Sequence, residues 1–163
     1  MYNSSNFSAG RGVIMRSREN NGPFNIFAEG DINIEFFDLD PLCVVWHGNY
    51  FNYFEIGRRL LLTKIDYTYE DMEKSGFVFP VVEVSAKYLG SLRFGDKARI
   101  KAILMEYENC LRIRYEIRDA KTGLITTKGE STQMAYDVRA GETCFVCPKL
   151  LIEKAEALLG GRQ

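Results

Sequence analysis

Residues 49 to 65 constrain the fold more than any other stretch of this chain. Tyr50, Phe51, Tyr53, Phe54, Ile56, Leu60, Leu61, Leu62 and Ile65 recur at helical spacing yet cover nearly every face. A helix that is apolar all round must be buried all round. The material to surround it lies on either side. From Asp31 the sequence alternates, with Ile32, Ile34 and Phe36 on one face and Asn33, Glu35 and Phe37 on the other, a strand of period two. Strand patterns recur over 77 to 88, 96 to 106, 111 to 118 and 124 to 137, separated by Gly, Asp, Asn and Lys-Thr-Gly turns. Such short links imply antiparallel neighbours. Ala98, Ile100, Ala102 and Leu104 alternate with Lys97, Arg99 and Lys101, and Leu111, Ile113, Tyr115 and Ile117 with Arg112, Arg114, Glu116 and Arg118. One sheet face is apolar and the other charged. A sheet that curls around the helix answers both burial requirements, so periodicity alone predicts an α+β fold with a wrapped central helix.

The 163 residues fit one domain, and a chain of that size buries about 70% of its unfolded surface, enough for a core without metal or disulfide staples. Residues 1 to 26, rich in Ser, Asn, Gly and Arg, are expected to form a flexible extension, with the domain running from 27 to 163. A short helix is expected near residues 68 to 74 and an amphipathic outer helix over 148 to 159. Asn49 is the expected N-cap of the central helix, and Glu55 and Arg59 an i,i+4 pair on it. The formal charge of -1 leaves no electrostatic footprint for nucleic acid or an anionic membrane. No apolar run approaches the roughly 18 residues of a membrane span, and Gly12-Val13-Ile14-Met15 is too short for the apolar core of a signal peptide. A cytoplasmic location is expected, with Cys43, Cys110, Cys144 and Cys147 as free thiols.

The chemistry concentrates in residues 36 to 55. Phe-Phe-Asp-Leu-Asp-Pro places Asp38 and Asp40 at the end of a strand, before a turn at Pro41, and the chain's only histidine, His47, stands at the start of the central helix. A carboxylate aimed at a helix N-terminus faces unpaired N–H groups and the positive end of the helix dipole, which can hold an oxygen as it becomes anionic. That arrangement suits hydrolysis of an acyl group. One histidine excludes multi-histidine metal sites. Cys144-Phe-Val-Cys147 has redox spacing but no second pair and no βαβ context, and no Gly-x-Ser-x-Gly, Walker or dinucleotide pattern occurs.

The pattern Asp38-x-Asp40-x-x-x-Val44-Val45-x-His47-x-Asn49-Tyr50, followed by an aromatic helix bearing Glu55, resembles the signature of hotdog-fold acyl-CoA thioesterases of the 4-hydroxybenzoyl-CoA thioesterase family. The resemblance covers roughly residues 30 to 140. It implies a single hotdog domain, a curved antiparallel sheet of about five strands around the long helix. It also implies hydrolysis of an acyl-CoA or acyl-carrier-protein thioester to acid and thiol, without metal or cofactor, by a homodimer or homotetramer. By this resemblance Asp40 is the catalytic carboxylate, as nucleophile or general base. The backbone N–H groups of His47 and Gly48 take the thioester oxygen, the His47 ring positions substrate or water, and Val45, Trp46, Asn49 and Tyr50 line the substrate site. Asp38 is assigned to the turn. A thioester needs no stronger nucleophile, because its carbonyl is activated and a thiolate leaves easily, while each oxyanion donor contributes about 3 to 4 kcal/mol.

Two departures stand out. Many members carry Gly where this chain has Cys43, and many carry cations in the turn that here reads Glu106-Tyr107-Glu108-Asn109-Cys110, where coenzyme A phosphates are gripped. Lys87, Arg93, Lys97, Arg99, Arg112 and Arg114 are the available substitutes. The rival readings are a hotdog dehydratase acting on hydroxyacyl thioesters and a non-catalytic acyl-binding subunit.

Overall fold

The computed structural model describes residues 20–160. Five antiparallel strands, β1 (Phe27–Asn33), β3 (Val81–Tyr88), β4 (Lys97–Glu106), β5 (Leu111–Asp119) and β6 (Ile125–Gln133), form one sheet in the order β1-β4-β5-β6-β3. Helix α1 (Asn49–Ile65) packs against β1, β4 and β5. Two smaller helices, α2 (Tyr69–Ser75) and α3 (Lys149–Gly160), and a three-stranded sheet of β2 (Phe77–Val78), β7 (Ala135–Asp137) and β8 (Glu142–Cys144), complete the domain. This is the expected α+β arrangement, a sheet wrapped around one long helix. Among the described residues no helix is long and apolar enough to cross a membrane.

The alternation read from β4 and β5 holds in three dimensions. Ala98, Ile100, Ala102, Leu104, Ile113, Tyr115 and Ile117 are buried in one cluster with Tyr53, Phe54, Leu61, Leu62 and Ile65 of α1. Each fully buried Ile, Leu or Phe side chain among them contributes about 1.5–3 kcal/mol. The helix lies close because glycines leave room for it. A Cβ on Gly57 would stand 3.0 Å from Ile100 Cδ1, and one on Gly129 of β6 would meet the Phe54 ring, which stacks on Tyr115 with centroids 4.5 Å apart and planes within 7°.

Several local expectations are corrected. The first strand runs Phe27–Asn33, earlier than the expected start at Asp31, and it does not run into Asp38. Ile34 N–H bonds the Asp96 carbonyl instead, and Phe36–Asp38 forms a 3-10 turn in which Asp38 Oδ2 accepts the Glu35 N–H at 2.9 Å. The strands expected over 77 to 88 and 124 to 137 are each broken, the first at Phe79-Pro80, the second at Met134. Pro80 has no N–H for a ladder, and its carbonyl accepts the Met134 N–H at 3.3 Å, so both chains change sheet at the same level. Helix α1 is not covered all round: Phe51, Asn52, Glu55 and Arg59 are exposed. Glu55 pairs with Arg58 at 3.1 Å rather than with Arg59, because Arg58 turns inward to reach the Phe79 carbonyl and passes Glu55 on the way.

The expected extension, residues 1 to 26, lies outside the described residues as far as residue 19. Residues 20 to 26 lie along the outer face of β4, where Ile26 is fully buried and Asn21 Oδ1 accepts from Lys101 Nζ at 2.6 Å. Lys101, read as part of the charged face, is therefore buried.

Gly129→Ala is expected to lower stability in urea unfolding by about 1–3 kcal/mol, because the new methyl overpacks against Phe54 and the Ser85 carbonyl oxygen. An unchanged midpoint would show that α1 does not bear on β6 as described.

Candidate active site

The segment between β1 and α1 is a strap pinned at both ends. Leu39 and Val45 form a bridge, Asp40 N–H donates to the Val44 carbonyl at 2.8 Å, and Cys43 N–H donates to the Asp40 carbonyl at 2.9 Å. Asp40 Oδ1 accepts the Leu42 N–H at 2.8 Å and the Val44 N–H at 3.4 Å, the geometry that makes Asp a turn former. The carboxylate is half-buried, and Oδ2 is not engaged by these bonds. Cys43 sits at φ +56°, in the left-handed region where glycine is favoured, and its side chain is exposed.

The Asp38 carbonyl ties this strap to the helix. It accepts the Trp46 N–H at 2.9 Å and the Asn49 side-chain amide at 2.8 Å. Asn49 is thus not the N-cap. It is the first helical residue, its amide is committed to Asp38, and the capping position falls to Gly48, which has no side chain to offer. The consequence is chemical. The N–H groups of His47 and Gly48 have no hydrogen-bond partner among the described residues, and they stand at the positive end of a 17-residue helix. Gly48 is required for a second reason, since a Cβ there would strike the Trp46 ring.

The remaining expected site residues fall around this point. Trp46 is half-exposed, with its ring 5.1 Å from the exposed His47 ring. Val45 is buried, its N–H bonded to the Leu92 carbonyl. Tyr50 is buried against Tyr88, centroids 5.0 Å apart, and burial pushes its hydroxyl above the ordinary tyrosine range. Tyr53 is pushed up as well, first by burial and then by the neighbouring Asp38 carboxylate.

Sequence reasoning missed Tyr88, and it named Arg93 only as a candidate cation for coenzyme A phosphates. The Tyr88 hydroxyl donates to the His47 carbonyl at 2.9 Å, and Arg93 Nη1 donates to the Cys43 carbonyl at 3.4 Å, so β3 and the segment before β4 both brace the strap. Strand periodicity marks neither, because each contact spans more than forty residues of sequence. Cys144 and Cys147 are free, and burial first of all pushes the Cys147 thiol up to about 12, which keeps it protonated and a poor nucleophile. Among the described residues no group of three His, Cys, Asp or Glu side chains is placed to hold a metal ion.

A helix wrapped by a five-stranded antiparallel sheet is the hotdog arrangement, and the carboxylate turn leading into an uncapped helix start is its candidate site. A family model described as the thioesterase-like superfamily matches residues 34–153, and the chain belongs to that family. It is 28% identical over 108 residues to YneP of Bacillus subtilis (strain 168), a protein provisionally named as an acyl-CoA thioesterase, covering 66% of this chain and 78% of that one. The fold is shared with DHNA-CoA thioesterase from Staphylococcus aureus, at a TM-score of 0.70 and 24% identity over 84% of this chain and 95% of that one. It is shared also with a variant of 4-hydroxybenzoyl CoA thioesterase complexed with 4-hydroxybenzoyl CoA, at 0.71 and 17% over 80% and 99%.

Proposed function

We propose that this chain, as a single hotdog domain, hydrolyses an acyl thioester of coenzyme A or acyl-carrier protein to free acid and thiol. The observation that carries the reading is the pair of unpartnered N–H groups at His47 and Gly48, directly after the Asp40 turn. Bound there, the thioester oxygen accepts hydrogen bonds that strengthen as it becomes anionic. The Asp40 carboxylate acts on the carbonyl carbon. As nucleophile it forms an anhydride and expels thiolate, and water then cleaves the anhydride; as general base it takes a proton from the water that attacks. Either course needs only one carboxylate, which matches a site with one acidic side chain in the turn and one imidazole. The His47 ring positions substrate or water, and Val45, Trp46, Asn49 and Tyr50 shape the pocket wall.

The turn after β4 offers no cation, since Glu106 Oε1 instead accepts the N–H groups of Glu108 and Asn109. Among the expected substitutes, Arg99 pairs with Asp31, and Arg112 and Arg114 with Glu130. Lys87 is placed differently: it stands opposite Lys128 in the β3–β6 register, and neither has an ion pair among the described residues. Lys128 stands opposite Glu116 of β5 on its other side, which offsets part of the repulsion between the two lysines and leaves Lys87 as the cation available to a phosphate-bearing thiol carrier.

Asp40→Asn is expected to lose at least about 100-fold in thioester hydrolysis with little change in melting temperature, because the amide oxygen keeps the bonds to Leu42 and Val44 but neither attacks nor takes a proton. His47→Ala is expected to lose less, since the backbone donor survives. Retained turnover in Asp40→Asn would move the chemistry elsewhere.

The active enzyme is expected to be a homodimer or homotetramer. β3 is an edge strand with Val81, Val82 and Val84 exposed, an edge that natural proteins seldom leave open. Sedimentation equilibrium at micromolar concentration tests this, and a monomer that still turned over substrate would contradict it.

A further inference from the structure

The exposed side of α1 borders two cavities in succession. The nearer, about 180 Å³, is lined by Phe51, Asn52, Phe54 and Glu55 of the helix and by Val81, Val84, Tyr115 and Ser131. The farther, about 740 Å³, begins one turn further along at Arg58 and is walled by apolar side chains of α2 and of the β2–β3 segment, among them Met72, Phe77 and Phe79, with Arg139 at the far side. Neither is lined by Asp40 or His47.

The larger cavity is apolar in its walls yet holds two guanidinium groups. Arg58 is only 8% exposed; its Nη1 goes to Glu55 and its Nη2 to the Phe79 carbonyl, and its Nε has no hydrogen-bond partner among the described residues. The Arg139 guanidinium has no ion pair or hydrogen bond among the described residues. Of the carboxylates nearby, Glu55 already accepts from Arg58 and from the Tyr69 hydroxyl, and Glu73 is exposed at the lining. Among the described residues, one N–H of the buried Arg58 guanidinium, at Nε, has no acceptor, which is unusual in a fold, and the exposed Arg139 guanidinium at the same cavity has no counter-charge. Such a cavity suits an anion delivered on an apolar body.

We propose that this cavity receives the far end of the acyl group and selects chains that end in a carboxylate, which makes ω-carboxyacyl thioesters of about a dozen carbons the preferred substrates. The inference rests on the thioester hydrolase reading for its chemistry. Length follows from the helix. From Gly48 to Arg58 is ten residues, about 15 Å at 1.5 Å per residue. An extended chain advances about 1.2 Å per bond, a third of the span of an extended residue, so about twelve bonds cover that distance. The 180 Å³ cavity lies on the way. A methyl-ended chain that filled the larger cavity would strip water from the exposed Arg139 guanidinium and return no acceptor, whereas a carboxylate accepts charge-assisted bonds from Arg58 and Arg139, roughly twice as strong as neutral ones.

The test compares dodecanoyl and dodecanedioyl thioesters on one carrier, in the wild type and in Arg139→Gln. Arg139 is chosen because it lies in an exposed turn and its loss leaves the core intact. The wild type is expected to favour the dodecanedioyl substrate in kcat/KM by about 10-fold or more, the worth of one charge-assisted bond. Arg139→Gln is expected to erase most of that preference while leaving dodecanoyl turnover within about twofold. Equal rates for the two substrates, or equal losses on both in the variant, would overturn the proposal. Calorimetric titration of free dodecanedioate and dodecanoate into both proteins separates this from the hydrolase reading. If no thioester turns over, tighter binding of the diacid that Arg139→Gln abolishes still sustains the site, and indistinguishable binding of the two acids overturns it.

Discussion

Everything in this domain depends on a helix being enclosed by a sheet at close range. The apolar face of α1 has no other place to go, and the apolar face of β4 and β5 has no other partner. Their mutual burial fixes the curvature of the sheet, and the clearances at Gly57 and Gly129 fix how near the helix sits. The first consequence is positional. A helix held this firmly along its length presents its N-terminus at one place, and the chain that enters it must approach from β1 through a short strap.

That strap converts fold into site. The Asp38 carbonyl takes both the Trp46 N–H and the Asn49 amide, so the asparagine that would ordinarily cap the helix is used to hold the loop. With glycine at the capping position the helix start forgoes only a few tenths of a kcal/mol, roughly, relative to a side-chain cap. In exchange, two N–H groups remain unpaired next to a turn built on a carboxylate. Trp46 lies over Gly48, and Tyr88 reaches from β3 to the His47 carbonyl, so the peptide units bearing the donors are held from both sides.

Much of this was legible in the sequence, and what was not has physical reasons. The central helix is found at residues 49 to 65 as expected, since its apolar spacing is long and unbroken, and the alternation in β4 and β5 survives because each strand has one buried face. Asp40, His47 and Gly48 are brought into one strap, as their spacing suggested. The failures occur where side chains reach across the fold. The Asn49 amide looked like a cap and serves a distant carbonyl; Arg58 rather than Arg59 takes Glu55 because its guanidinium is drawn inward by the Phe79 carbonyl. Lys101 looked solvated and is covered by residues 20 to 27, a segment with too weak a period to read. The strand breaks at Pro80 and Met134 were half visible, as a proline within a strand pattern.

The central claim is that the start of α1 receives the reacting oxygen. A crystal structure of Asp40→Asn with a slowly hydrolysed acyl thioester tests it directly. The account predicts the thioester carbonyl oxygen within about 3 Å of the His47 or Gly48 nitrogen, with its carbon facing the residue-40 side chain. An acyl carbonyl bound away from the helix start, with those two N–H groups still unpaired, would contradict it.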